Sequence, residues 1–304
     1  MIKSHIPEKY IKINGLLNTI LDSSIQIKSN LEYAPLYNEE HTVLTQLINT
    51  SGDIQKPLDI LSNDLIIENI TKNKSAKYLY SEELEDKVIV ENGDDYTVCF
   101  DPLDGSSNID CNVSIGTIFS IYHGNSYAFE DIILTGYVIY GFATELMLTF
   151  KDDVVKRFVY DIHSTNWVYV GNVTIPENHK KIYCINHGNE NMWYPKMRNY
   201  IDLYRNNIYG TYTQRYVGSM VADIHRTLLY GGIFSYPSDK KNKNGKLRLL
   251  YECIPMSMII ENAGGMSICD SDLRRICEIV PEEIHQKSGI IMGSKEDIER
   301  YINM

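Results

Sequence analysis

Phe100-Asp101-Pro102-Leu103-Asp104-Gly105-Ser106-Ser107-Asn108-Ile109-Asp110 is the stretch on which the reading of this chain turns. The apolar run Tyr96-Thr97-Val98-Cys99-Phe100 leading into it reads as a short buried strand. Pro102 is expected to end regular pairing. Gly105-Ser106-Ser107-Asn108 has the chemistry of a tight turn or a helix N-cap. Two carboxylates, Asp101 and Asp104, therefore stand where strand gives way to turn, with backbone N–H groups behind them free to bind an anion. One use of such a place is a divalent cation on the acids and a phosphate on the N–H groups, because Mg²⁺ takes oxygen ligands, commonly one or two carboxylates plus a substrate phosphate. A turn with capping acids is the other.

Outward from this stretch, 304 residues give ample chain for a core, as one large domain or two packed halves. No apolar run approaches the ~18 residues of a membrane span. Met1-Ile2-Lys3-Ser4-His5-Ile6-Pro7 lacks the apolar core of a secretion signal, so the cytoplasm is the expected compartment. The net charge of −11 argues against a nucleic-acid partner, and an anionic ligand would need a local cluster of cations. The six cysteines show no C-x-x-C spacing and read mostly as buried thiols.

Helices are expected over 14–31 and about 57–71, the second opened by Pro57. Between them, 35–56 is polar and turn-rich and reads as a mobile loop. On the second helix Asp64 falls inside an apolar arc, where an acid is either partnered or functional. A short strand at 77–80 ends on Ser81-Glu82-Glu83, which taken alone is a solvated turn. Strand-like runs follow at 113–122, 137–140, 146–150, 154–160 and 167–170, suggesting a mostly antiparallel or mixed sheet. After about residue 175 helix and strand alternate: strands at 182–186, 233–236, 249–253 and 289–292, helices at 192–205, 218–230, from Pro255 to Gly264, and from Ser294. The expected domains are therefore 1–175 and 176–304.

The eleven-residue stretch resembles the class I fructose-1,6-bisphosphatase family, within the metal-dependent, lithium-sensitive sugar and inositol phosphatases. The resemblance extends through Leu58-Asp59-Ile60-Leu61-Ser62-Asn63-Asp64-Leu65, Ser81-Glu82-Glu83, Gly116-Thr117-Ile118-Phe119, the run Arg215-Tyr216-Val217-Gly218-Ser219-Met220-Val221-Ala222-Asp223, and Asn244-Gly245-Lys246-Leu247-Arg248-Leu249-Leu250-Tyr251-Glu252-Cys253. It implies an α/β fold of stacked α-β-α-β-α layers with mixed sheets in two packed halves, the first being the metal-binding half and the counterpart of the AMP domain. It also implies a homotetramer, a dimer of dimers. The implied activity is removal of the 1-phosphate of fructose 1,6-bisphosphate. A sedoheptulose-1,7-bisphosphatase is the close alternative and an inactive sugar-phosphate-binding regulator the remote one.

The same resemblance implies the site. Glu82, Asp101, the Leu103 carbonyl, Asp104 and Glu252 would hold two or three Mg²⁺, with Mn²⁺ able to substitute. Asp64 and Glu83 would take the proton of the attacking water. Ser106 and Ser107 would hold the 1-phosphate. Asn186, Tyr216, Tyr236 and Lys246 would hold the sugar and its 6-phosphate, Arg215 reaching in from a neighbouring subunit, while Gly218, Ser219 and Met220 line the sugar. Chemistry agrees: metals bound close together acidify water and stabilise both the attacking and leaving oxygens, which needs a dense acid cluster.

Two departures stand out. Asn189 occupies the place where the family usually carries a tyrosine that grips the 6-phosphate. In AMP-regulated members, a Lys-Tyr pair before the motif and an arginine after the Gly-Thr-Ile-Phe strand hold the nucleotide phosphate. Here these positions read Asp95-Tyr96 and His123. At ~4 Å a unit-charge interaction is worth roughly 1 kcal/mol in water and about 4 kcal/mol at an effective dielectric of 20, so reversing the sign at Asp95 costs at least ~2 kcal/mol. An AMP titration of the phosphatase reaction at saturating Mg²⁺ is therefore expected to show no inhibition in the micromolar range. Cooperative inhibition there would show that the nucleotide site survives.

Overall fold

The computed structural model describes residues 2–37, 47–48, 54–55 and 57–304. Short 3-10 turns at Ile2–His5 and Glu8–Ile13 lead into α1, Asn14–Tyr37. This helix runs past the expected end at 31. Ile27, Leu31 and Ala34 continue its apolar spacing, and the Asn30 side chain bonds back to the Gln26 carbonyl at 3.0 Å instead of closing the helix. The expected mobile loop at 35–56 lies largely outside the described residues. Within them, β1 (Leu47–Ile48) pairs antiparallel with β2 (Ile54–Gln55). Helix α2 is Pro57–Asn73.

The first large sheet contains β3 (Tyr78–Ser81), β4 (Val88–Ile89), β5 (Tyr96–Asp104), β6 (Ile115–His123), β7 (Ile132–Tyr140), β8 (Thr144–Phe150), β9 (Val155–Asp161) and β10 (Asn166–Val173), in the order β10-β9-β8-β7-β6-β5-β3-β4. Neighbours are antiparallel except β3 and β5, which run parallel. The second sheet contains β11 (Ile182–Cys184), β12 (Thr213–Gln214), β13 (Ile233–Tyr236), β15 (Met266–Cys269) and β17 (Ile290–Gly293), in the mixed order β12-β11-β13-β17-β15. A small ribbon pairs β14 (Leu247–Arg248) with β16 (Lys287–Ser288). The remaining helices are α3 (Pro195–Arg205), α4 (Met220–Tyr230), α5 (Ile254–Asn262) and α6 (Lys295–Ile302).

Three apolar layers bind these elements. Leu16, Leu17 and Ile20 of α1 and Ile66 and Ile70 of α2 meet one face of the first sheet at Val98, Phe100 and Phe119. The other face, at Cys99, Ile118 and Tyr137, packs on Val221 and Ile224 of α4 and Ile259 of α5, which in turn cover Phe234 and Met292 of the second sheet. Met197 and Tyr200 of α3 and Ile298 of α6 close the far face of that sheet. The order is thus α-β-α-β-α, as the resemblance implies.

Three expectations need correction. Pairing does not stop at Pro102. Strand β5 continues to Asp104, with a register shift between Asp101 and Asp104, and the Pro102 carbonyl accepts from Thr117 Oγ1 at 2.8 Å. Proline removes a donor but not an acceptor, so a bulge absorbs it. Residues 249–253 form no strand but a wide π turn feeding α5. Leu249, Leu250, Tyr251 and Cys253 are fully buried around Glu252, and a short, mostly apolar run does not distinguish a buried strand from a buried helical turn. Finally, Asp64 is exposed on α2, whose buried face carries Asp59, Ser62, Asn63, Ile66 and Ile70 instead. That helix hides short polar groups on its inner side, which the apolar arc did not anticipate.

Candidate metal and phosphate site

The β5 bulge turns Asp101 and Asp104 to the end of the first sheet. Alternation along the strand puts Asp101 on the Cys99 face, toward the α4–α5 layer. Gly105 follows at φ +81°, and Ser106–Cys111 form a 3-10 turn. A side chain at position 105 would collide with Ser219 Oγ at 2.7 Å, so glycine lets the turn close on the start of α4. Glu252 arrives from the π turn. Asp101, Asp104 and Glu252 place carboxylate oxygens within 4.8 Å of one another, and all three residues are buried.

Each acid is held by the backbone around it. Leu103 N–H donates to Asp101 Oδ1 at 2.8 Å and Val221 N–H to Asp104 Oδ2 at 2.7 Å. Arg248 N–H donates to Glu252 Oε2 at 2.5 Å. Despite these donors, burial pushes the Asp101 carboxyl well up, with Glu82, Asp104 and Glu252 adding to the shift. Asp104 rises to about 7, again mainly through burial, with the Val221 N–H opposing and Glu82 and Asp223 adding. Glu252 is also raised well above the ordinary range, by burial and then by Glu82 and Asp104. An all-oxygen set of buried, mutually repelling carboxylates has the chemistry of a hard divalent cation site, and the residues fit that group.

A cleft of about 200 Å³ opens beside the trio, lined by Glu82, Asp104, Gly105, Tyr216, Gly218, Met220, Tyr236, Lys246, Arg248 and Glu252, with Asp223 and Phe234 behind. Of the expected site residues, Glu82, Asp104, Tyr216, Gly218, Met220, Tyr236, Lys246 and Glu252 meet in this lining. Ser219 is buried against Gly105. Burial raises the Tyr216 hydroxyl far above its usual range, Tyr236 and Asp223 adding and the Asn186 side chain pulling it partly back, which places Asn186 beside the cleft. Ser106 is half-buried and Ser107 exposed at the start of the 3-10 turn, where the first amides lack intrahelical acceptors.

Others stand apart. Exposed Asp64 accepts a long bond from Asn63 Nδ2, 3.3 Å, and neither it nor Glu83 lines the cleft. Arg215 is exposed and donates to the Gln214 carbonyl at 2.9 Å, away from the lining. At the opposite end of β5, Tyr96 pairs with His123 across the strands, and Gly124 N–H donates to the Asp95 carbonyl at 2.9 Å.

The sequence reading assigned no role to Arg248. Its side chain is 3% exposed, Nε reaches Glu82 Oε1 at 3.3 Å, Nη1 reaches the His285 carbonyl at 3.4 Å, and buried Nη2 has no hydrogen-bond partner among the described residues. A guanidinium with a spare donor at the edge of an acid-lined cleft has the chemistry to bind an anion. The available signal was a single cation inside the apolar run Leu247-Arg248-Leu249-Leu250.

Comparison with known proteins bears on this geometry. Residues 3–172 match the model of the fructose-1-6-bisphosphatase N-terminal domain and residues 175–304 that of its C-terminal domain. The chain is 40% identical to fructose-1,6-bisphosphatase of Schizosaccharomyces pombe over 98% of its own length and 88% of the relative. It is 44% identical to fructose-1,6-bisphosphatase 1 of Mus musculus over 84% of its length and 79% of the relative. The crystal structure of Leishmania major fructose-1,6-bisphosphatase in holo form superposes with a TM-score of 0.92 at 36% identity, covering 99% of this chain and 96% of that one.

The raised carboxyls set a direction for stability. An acid whose pKa is higher folded than unfolded favours the fold below its unfolded value and loses that contribution as pH rises through the folded value. For Asp104 the window runs from the ordinary ~4 to about 7. Metal-free protein is expected to lose Tm across that window, and excess Mg²⁺ to restore it, the gain growing from pH 5 to pH 8 to on the order of several degrees. Thermal melts with EDTA and with Mg²⁺ at each pH measure the gain. A gain of equal size at every pH would mean that the cation does not act on these acids.

Proposed function

The chain belongs to the fructose-1,6-bisphosphatase family, and we propose that its acid-lined cleft hydrolyses the 1-phosphate of fructose 1,6-bisphosphate to give fructose 6-phosphate and inorganic phosphate, in the cytoplasm and as a gluconeogenic step. The observation that carries this reading is the placement of three buried carboxylates, Asp101, Asp104 and Glu252, beside a cleft that also presents Arg248 and Lys246. Acids for a cation and cations for phosphates share one small space. In the division we propose, residues 1–175 supply the phosphate turn and most of the acids. Residues 176–304 supply the sugar side and Glu252.

Glu82, Asp101, the Leu103 carbonyl, Asp104 and Glu252 would hold two or three Mg²⁺, or Mn²⁺ in their place. Bound there, such cations acidify the attacking water and offset charge on the phosphoryl oxygens. The chain's own groups do the rest. The first amides of the Ser106–Cys111 turn, the Ser106 and Ser107 hydroxyls and Arg248 Nη2 bind and orient the 1-phosphate. Lys246, Tyr216, Tyr236 and Asn186 bind the sugar and the 6-phosphate, with Gly218, Ser219 and Met220 forming the wall. Asp64 and Glu83 are the carboxylates we assign to receive the proton of water as its oxygen bonds to phosphorus and the bond to the sugar oxygen breaks, the sugar oxygen taking up a proton from solvent to become a hydroxyl of fructose 6-phosphate. Arg215, exposed and turned from its own cleft, suits the 6-phosphate of a neighbouring subunit in a homotetramer.

Purified protein is expected to release one phosphate per fructose 1,6-bisphosphate with Mg²⁺ or Mn²⁺ and none in excess EDTA. Faster turnover of sedoheptulose 1,7-bisphosphate, by kcat/KM, would overturn the substrate assignment, and turnover in EDTA the metal assignment.

Asp64→Asn tests the proton acceptor. General-base help is commonly worth ~10²–10⁴-fold, and an interaction used only in the transition state appears in kcat. A kcat within a few-fold of wild type would place the base elsewhere.

A further inference from the structure

Asp223 is a completely buried carboxylate that the sequence reading leaves without a role. It sits in the first turn of α4, on a face otherwise formed by Met220, Val221 and Ile224. Its oxygens accept from Val217 N–H at 3.0 and 3.1 Å, from Gly218 N–H at 3.0 Å and from Arg226 Nη2 at 2.6 Å. Arg226 Nη2 also donates to the Arg215 carbonyl at 2.9 Å. The Arg215–Gly218 segment is thus wrapped around one carboxylate and one guanidinium.

That segment supplies Tyr216 and Gly218 to the cleft wall. Gly218 turns at φ +87°, which only glycine adopts freely. Its carbonyl accepts from Asn108 Nδ2 at 3.0 Å, and the same amide reaches the Gly105 carbonyl at 3.2 Å. Two residues before Asp223, Val221 N–H holds Asp104. One helical turn therefore fixes an acid of the cluster through its backbone and the sugar-side wall through Asp223.

We infer that Asp223, balanced by Arg226, is a positioning residue that pre-forms the Tyr216–Gly218 wall in register with the acid cluster and so sets affinity for the sugar phosphate without touching the reacting bond. The inference rests on the sugar-bisphosphatase reading above. A neutral side chain at 223 cannot serve two backbone N–H groups and a guanidinium at once, and the wall would lose its fixed shape before substrate arrives.

The test compares wild type, Asp223→Asn, Arg226→Ala and Arg226→Lys as full chains. Wild-type turnover of fructose 1,6-bisphosphate is measured first; its absence would refute the underlying reading before any variant is considered. Given turnover, Asp223→Asn is expected to raise KM about 10- to 100-fold, the range of a lost hydrogen bond to a charged group. Its kcat should stay within a few-fold and the Mg²⁺ concentration for half-activation should hold. Calorimetric Kd for fructose 6-phosphate without metal should rise in parallel with KM. Arg226→Ala should show the same pattern and Arg226→Lys a partial return, since the balancing charge is kept. A residue that merely supports the fold would lower Tm and leave KM and the fructose 6-phosphate Kd alone. Unchanged KM in Asp223→Asn, or a fall in kcat at constant KM, overturns the inference. If Asp223→Asn does not fold, the two Arg226 variants decide by the same criteria.

Discussion

Asp101, Asp104 and Glu252 repel one another inside protein that has excluded water, and the local architecture is arranged around tolerating that repulsion. Like charges a few ångströms apart at low dielectric are among the costlier things a fold can contain. Here each acid is given a backbone N–H from a different feature: the β5 bulge for Asp101, the first turn of α4 for Asp104, and the entry to the π turn for Glu252. These donors sit at a strand bulge, a helix start and a strand-to-turn junction, where regular pairing is interrupted. The irregularities are thus the means by which buried carboxylates are partnered while their remaining oxygens face a common point.

The layers explain why those irregularities fall where they do. The strand end of the first sheet, the start of α4 and the π turn before α5 all belong to the middle layer or abut it, the one with sheet on both sides. A group there is far from bulk water in most directions but reaches the cleft at the sheet's end. The outer cores, under α1 and α2 on one side and under α3 and α6 on the other, are apolar packing that covers the outward faces of the two sheets, while the α4–α5 layer between them separates the sheets.

This division accounts for what the sequence showed and what it hid. Strands β6 through β10 were legible because short runs rich in β-branched and aromatic residues recur at close spacing, with alternation clearest at 113–122. Residues 249–253 were not, because full burial erases the polar half of any period. Asp101 and Asp104 were legible as chemistry because a strand end followed by Gly-Ser-Ser is locally unusual, and Glu82 and Glu252 only through family resemblance, since their neighbour in space is more than a hundred residues away in sequence for one of them. Arg248 and Asp223 were overlooked for one reason. Each is a single charge in an apolar run, and the pattern says only that it needs a partner, not whether that partner is the fold or a ligand. The structure separates the two cases: the carboxylate of Asp223 accepts from three donors, whereas Arg248 keeps a buried Nη2 without one.

The same distinction resolves the charge paradox of the chain. A net charge of −11 repels a bisphosphate, and an acid trio in the cleft does so at short range. Scattered surface lysines do little against that, because exposed charges are screened over about a Debye length, ~8–10 Å at ordinary salt. What works is a donor that is already desolvated and already aimed. Arg248, desolvated and held between Glu82 and the His285 carbonyl, has the chemistry of such a donor, and a cation on the carboxylates would turn the nearest repulsion into attraction. Binding of an anion at the acid trio and of a cation there would then be mutually dependent, each removing charge that opposes the other. A cleft built this way would disfavour a phosphate beside the acids without a metal, and a metal there without a phosphate, and that coupling would follow from burying the acids more than from the identity of any single contact.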